Sequence, residues 1–212
     1  MNMTQNLAIY LLDDDAAFRR SVVFLLESVG CTVVEYESAE AFLAEHEDEG
    51  PPADMGCLLL DIRMPSMSGL ALQQLLLGRG WESAIVFMTG HGDVEMAVQA
   101  MKSGACDFLE KPFKDQALLD AVDQAVRRTR DRQRENSRQS EAQARLERLS
   151  PREREVARLV ALGSPNKVVA HKLGISEKTV HVHRQHIMEK ARVGNATELT
   201  RLMLAADPDS LA

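Results

Sequence analysis

Nowhere in the 212 residues do about 18 apolar side chains run together, and no basic stretch leads into an apolar one at the N-terminus. Neither a membrane span nor a secretory leader is expected. Cysteine is scarce. Cys31, Cys57 and Cys106 are odd in number, far apart and set among apolar residues, and no CxxC pair occurs. This excludes a disulfide framework and gives no sign of zinc or redox chemistry; reduced packing thiols in a cytoplasmic protein are expected. Aromatic residues are only 4% of the chain and none follows Phe113. The C-terminal part therefore lacks the rings on which single-stranded RNA stacks.

Charge is present, but unevenly. Residues 1–126 hold 7 Lys+Arg against 21 Asp+Glu, whereas residues 127–212 hold 18 against 11. An acidic part joined to a basic part implies different partners, the basic one suited to a polyanion.

The acidic part alternates between short apolar runs (7–12, 31–36, 56–60, 84–88, 106–109) and helix-like segments (16–29, 39–48, 67–78, 93–103). Continuous apolar runs of this length are the mark of strands buried on both faces. Their alternation with helices predicts an α/β, doubly wound, five-stranded parallel sheet. Gly30, Gly56 and Gly104 sit where a helix is expected to hand over to a strand, as C-terminal caps. A last helix begins near Asp115. From Arg127 to Glu141 no apolar side chain occurs, so this stretch is a solvated helix continuing the preceding one or a flexible linker. Apolar periodicity returns at Leu146 and Leu149, and Ser150-Pro151 opens the first of four short helices with no strand. The expected division is 1–126, 127–148 and 149–212.

In parallel sheets ligands lie beyond the strand C-termini. There the first run ends on Asp13-Asp14-Asp15 and the third on Asp61. Carboxylates so close repel one another unless a hard cation binds or one protonates, which points to a Mg²⁺-dependent pocket. Asp15 reads as a helix N-cap. Thr89 brings a hydroxyl to the same edge and Lys111 a cation. Together these groups suit phosphoryl transfer, in which charge on the equatorial oxygens must be neutralised, and a carboxylate can itself be the nucleophile.

With Leu12-Asp13-Asp14, Leu60-Asp61-Ile62-Arg63-Met64-Pro65, Thr89-Gly90 and Lys111-Pro112-Phe113 in this order, residues 7–126 resemble the receiver domain of bacterial two-component response regulators. The resemblance implies that Asp61 accepts a phosphoryl group from a sensor histidine kinase. Asp14 and Asp61, with the backbone carbonyl of Arg63, would hold Mg²⁺, with Asp13 acting mostly through water. It further implies that Thr89 and Lys111 bind phosphoryl oxygens, that the Lys111–Pro112 bond is cis, and that Phe108 swings inward on phosphorylation. Val98, Lys102 and Asp107 would lie on the face that pairs two receivers. Arg63 and His91 resemble the pair that tunes acyl-phosphate lifetime.

In the basic part, Leu173-Gly174-Ile175-Ser176 is a tight turn between two short helices, as in a helix-turn-helix. The second, about 177–191, places Lys178, His181, Val182 and Gln185 on one face and Val180, Ile187 and Ala191 on the other. His181, His183 and His186 do not form a metal set, since positions i and i+2 diverge on a helix. This region resembles the LuxR-type helix-turn-helix, and the whole chain a FixJ-type response regulator. By that likeness His181, Val182 and Gln185 approach base edges, while Lys167, Lys178, Thr179 and Arg184 contact phosphates. The last helix, with Leu199, Leu202 and Leu204, would be a dimer contact. Lys190-Ala191 stands where the family usually has Lys-Leu.

The expected function is phosphorylation-driven homodimerisation and binding to promoter DNA, with transcriptional activation, through RNA polymerase, as output. The chain is expected to be a regulator and not an enzyme. An autonomous phosphotransferase and a partner-controlled interaction module are the alternatives.

Overall fold

The computed structural model describes residues 7–46, 50–90 and 94–211. His91 lies outside them, as do the end of the helix expected over 39–48 and the start of that expected over 93–103. Contacts divide the chain into two compact units, Met1–Asp131 and Arg132–Ala212.

In the first unit, β1 (Ala8–Leu12), β2 (Val33–Tyr36), β3 (Met55–Asp61), β4 (Ile85–Thr89) and β5 (Asp107–Glu110) form a parallel sheet in the order β2-β1-β3-β4-β5. Helices α1 (Ala16–Ser28), α2 (Ala39–Glu45), α3 (Gly69–Gly78) and α4 (Val94–Lys102) lie between the strands, and α5 (Asp115–Glu147) follows. Successive side chains of a strand point to opposite faces, so each apolar run feeds two cores. Tyr10, Leu12, Leu58, Leu60, Ile85 and Phe87 pack with Phe42, Leu72 and Leu76 from α2 and α3. Ile9, Leu11, Cys57, Leu59, Val86 and Met88 pack with Val22 and Leu26 of α1 and Leu118 and Val122 of α5. Fully burying each large apolar side chain contributes roughly 1.5–3 kcal/mol.

Gly30 and Gly104 take positive φ just after α1 and α4, as helix-ending glycines do. Gly56 does not: it lies inside β3, and residues 50–54 just before the strand are not helical. A Cβ there would stand 2.8 Å from Leu7 Cβ and 3.2 Å from the Ala8 carbonyl. Close strand approach, rather than capping, is the reason for glycine at this position.

The stretch without apolar side chains is helical: α5 runs unbroken to Glu147. Its residues up to Asp131 fall in the first unit and the remainder in the second, where Ala142 and Leu146 join the core. The second unit continues with α6 (Pro151–Ala161), α7 (Asn166–Leu173), α8 (Glu177–Ala191) and α9 (Ala196–Ala206). Leu199 and Leu202 of α9 are buried in this unit's own core, leaving Leu204 exposed. Of the leucines expected at a dimer contact, two are already covered by their own fold.

Helix α6 opens with a capping box. Ser150 accepts from the Glu153 amide, and Glu153 accepts from the Ser150 amide at 2.7 Å. Burial pushes the Glu153 carboxyl up, but Lys190, at 2.8 and 2.7 Å, and the Ser150 bonds outweigh this and hold it down to about 2. A depressed carboxyl stabilises the fold above its ordinary value and loses that contribution as pH falls through the folded one. Glu153→Gln should therefore cost the second unit about 1–2 kcal/mol at neutral pH, the exposed part of the pair being screened by solvent. The deficit should shrink as pH falls from about 4.5 towards 2 in urea melts followed by circular dichroism.

Candidate functional site

The ends of β1, β3, β4 and β5 are brought level by register: Leu12 faces Leu60, Asp61 faces Met88, and Thr89 faces Glu110. Just beyond β1 the Asp13 amide still bonds across to β2, donating to the Tyr36 carbonyl at 3.3 Å. Asp15 caps α1, accepting from the amides of Ala17 and Phe18 at 2.8 and 3.1 Å, and these bonds hold its carboxyl below the usual range. Asp13 Oδ1 accepts from the Asp15 amide at 2.9 Å, and Asp14 lies beside it at the sheet edge.

Asp13, Asp61 and Thr89 are buried polar residues, whereas Asp14 is exposed. Asp13, Asp14 and Asp61 each offer an oxygen within 4.8 Å of the others. All three ligands are carboxylates, the hard oxygen donors that magnesium or calcium takes, so the set fits a divalent cation. Lys111, directly after β5 and followed by a cis bond to Pro112, donates from Nζ to Asp13 Oδ2 at 2.5 Å and to Asp61 Oδ1 at 3.1 Å. Burial raises the Asp61 carboxyl above its ordinary value, and Asp13 and Asp14 push the same way against the lowering effect of Lys111. A charged Asp61 is thus held at a cost that a bound cation would relieve.

Several supporting groups escaped the sequence reading. Phe18 places its ring 4.1 Å from Lys111 Nζ and meets Phe113 edge-on. Arg19 Nη1 donates to the Asp13 carbonyl at 2.6 Å. Gly69 starts α3 so close beneath β3 that a Cβ would lie 2.2 Å from the Asp61 carbonyl oxygen. An aromatic or arginine in the first turn of a helix carries no local signal of such a contact; the α3 glycine next to a cap serine was the clue available.

The remaining candidates fall as follows. Arg63 is exposed on the loop after β3, where it lines a cavity of about 470 Å³ together with Asp14, Met64 and Met96. Thr89 Oγ1 donates to the Gly90 carbonyl at 3.3 Å. Phe108 is partly buried, packed at the edge of the core formed with α2 and α3. Val98 and Lys102 are exposed on α4, joined there by Met96 and Met101, while Asp107 spends one carboxylate oxygen on the Phe108 amide at 2.8 Å.

In the second unit, Gly174 ends α7 in the left-handed conformation and Ser176 caps α8, accepting from the Thr179 amide at 3.0 Å. Lys178, Thr179, His181, Val182 and Gln185 are exposed on α8, while Val180, Ile187 and Ala191 are buried. Lys167 is exposed on α7, and Arg184 Nη1 donates to Asn166 Oδ1 at 3.2 Å. One face of α8 is thus free and polar while the other anchors it, as in a helix that lies in a DNA groove.

An α/β sheet with a lysine-closed acidic edge, followed by a helix-turn-helix, defines a response regulator of a two-component system. Residues 9–123 match the response regulator receiver domain, and residues 147–203 match the luxR family of bacterial regulatory proteins. The transcriptional regulatory protein FixJ of Azorhizobium caulinodans is 46% identical over 204 residues, covering 96% of this chain and 95% of that one. Response regulator protein TmoT of Ectopseudomonas mendocina is 45% identical over 199 residues, covering 93% and 88%. The solved structure of the response regulator StyR superposes with a TM-score of 0.80 at 39% identity, covering 92% of this chain and 96% of that one. The chain belongs to the FixJ-type response regulators, in which a receiver domain links phosphorylation to DNA binding by a LuxR-type helix-turn-helix. It is a regulator and not an enzyme, and among the described residues no helix is long and apolar enough to cross a membrane.

Proposed function

We propose that Asp61 is the phosphoacceptor and that its phosphorylation by a sensor histidine kinase promotes homodimerisation and tighter binding to promoter DNA, with activation of transcription as the output. The observation that carries this reading is the pairing of Lys111 with both Asp13 and Asp61 at the end of the sheet. A lysine so placed can follow the charge from carboxylate to phosphoryl oxygen without moving far. In the step itself an Asp61 oxygen attacks phosphorus, the bond from phosphorus to the kinase histidine nitrogen breaks, and the product is an acyl phosphate. Asp13, Asp14 and Asp61, with the Arg63 carbonyl, would hold Mg²⁺, which supplies positive charge to the phosphoryl oxygens when bound.

Thr89 and Lys111 then bind phosphoryl oxygens, and Phe108 moves inward as Thr89 is drawn to the phosphate. The face of α4 that carries Val98 and Lys102, with Asp107 beside it, pairs two receivers. Exposed Met96 and Met101 supply adaptable apolar area to that contact. Pairing two helix-turn-helix units on two half-sites raises affinity through effective concentration. Beryllofluoride with Mg²⁺, a stand-in for the bound phosphoryl group, should shift sedimenting species towards dimers and tighten DNA binding in the same titration. Unchanged sedimentation would refute the switch.

On the DNA side, His181, Val182 and Gln185 read base edges while Lys167, Lys178, Thr179 and Arg184 hold phosphates. Gln185→Ala should change base preference at one position per half-site, at a cost of about 1–3 kcal/mol for the preferred duplex. Lys178→Ala should weaken all duplexes alike and lower the salt slope by about 1. A selection from random duplexes followed by salt titrations distinguishes the two. The reverse pattern would mean that α8 presents another face.

A further inference from the structure

The far end of α8 is gripped by a side chain from another helix. A helix leaves its last carbonyls unpaired. Here Arg145 of α5 donates from Nε to the Ala191 carbonyl at 2.8 Å and from Nη2 to the Arg192 carbonyl at 2.5 Å. Among the described residues Arg145 pairs with no carboxylate, so its guanidinium is committed to this helix end. Arg192 lies in the left-handed region at φ 52°, ψ 50°, a place usually given to glycine because a Cβ is disfavoured there. The fork therefore closes a strained cap, and its positive charge meets the negative end of the α8 dipole. In the same turn, Lys190 is held by Glu153 at the start of α6. Two side chains, one from the end of α5 and one from the start of α6, thus hold the last turn of α8.

We propose that Arg145 is a positioning residue for operator recognition, setting the tilt and rotation at which α8 meets DNA. The inference rests on the reading of α8 as the recognition helix. Its consequence follows from the two kinds of DNA contact. Long, flexible lysine side chains follow a phosphate through small tilts of the helix, whereas hydrogen bonds from His181 and Gln185 to base edges fail with small displacements. Loosening the far end of α8 should therefore weaken specific binding much more than non-specific binding. Loss of folded protein would reduce both by the same factor.

The test uses the full-length protein with Mg²⁺ and beryllofluoride. A duplex selected from a random pool by the wild type, and a scrambled duplex of the same length, are titrated at one salt concentration. Arg145→Gln should lose about tenfold on the selected duplex and less than about twofold on the scrambled one. Arg145→Lys, which keeps the charge but not the fork, should fall between. Adding Arg192→Gly to Arg145→Gln removes the strain at the cap and should recover a large part of the lost discrimination. Equal loss on both duplexes, or none on the selected one, would overturn the proposal; the lysine variant answers the same question should the glutamine variant not fold. If the wild type selects no duplex, the reading of α8 itself fails, and this inference with it.

Discussion

Asp61→Asn should end phosphoryl uptake and, in a chelator, leave the acidic domain more stable than the wild type. The amide keeps the volume of the side chain and an oxygen for Lys111, so packing is preserved. What is lost is the nucleophile, and an amide nitrogen cannot form the acyl phosphate. Stability rises because the wild-type carboxylate is ionised at a cost: burial pushes Asp61 up, and Asp13 and Asp14 add like charge. A raised carboxyl gives its full stability below its ordinary value and loses stability as pH rises through its folded value. The advantage of the asparagine form should accordingly be present at neutral pH and vanish in acid. Thermal melts in EDTA at pH 7.5 and pH 3.5 test the sign. DNA binding by this variant should no longer respond to a phosphodonor or to beryllofluoride.

Lys111→Met should act in the opposite direction. Asp13 is fully buried, and its Oδ2 has Lys111 Nζ at 2.5 Å. With the ammonium gone, Asp13 and Asp61 face each other as buried carboxylates with no cation between them. Removing one member of a buried pair typically costs about 3–5 kcal/mol, and the 21% exposure of the lysine side chain places this case near the lower end. Mg²⁺ should restore much of the loss, so the rise in melting temperature on adding the ion should be larger for this variant than for the wild type. Beryllofluoride should no longer drive dimers, since the group that follows the phosphoryl oxygens is missing. A variant that melts like the wild type in EDTA would show that the lysine carries no charge balance in the pocket.

Much of this site was legible before any coordinates because a parallel sheet buried on both faces writes itself as continuous apolar runs. Each run here stopped at the residue that matters: Leu12 before Asp13, Leu60 before Asp61, Met88 before Thr89. Partnership was less legible. Leu199, Leu202 and Leu204 are apolar positions of α9 that any apolar surface could cover, and only the fold shows that the first two face its own core. Gly56 stands before an apolar run as a capping glycine would, yet its reason is the approach of Leu7 and Ala8 across the sheet.

The stretch 127–141 offered no face to bury, and this left helix and coil equally open. Arginine, glutamine and glutamate favour helix without burial, and the second unit anchors the helix at its end. Gln139 and Gln143 both donate to the Ala206 carbonyl, and Arg145 to those of Ala191 and Arg192. Such side-chain-to-carbonyl bonds have no sequence period, so the patterning that reveals strands says nothing of them.

The most direct test of the account is to treat the wild type with Mg²⁺ and a small-molecule phosphodonor, then map the adduct by mass spectrometry while measuring binding to its selected duplex. The account predicts a hydroxylamine-labile phosphoryl group on Asp61, appearing at the same donor concentration at which DNA affinity rises. A phosphoryl group on another residue, or affinity that rises with Asp61 unmodified, would contradict it.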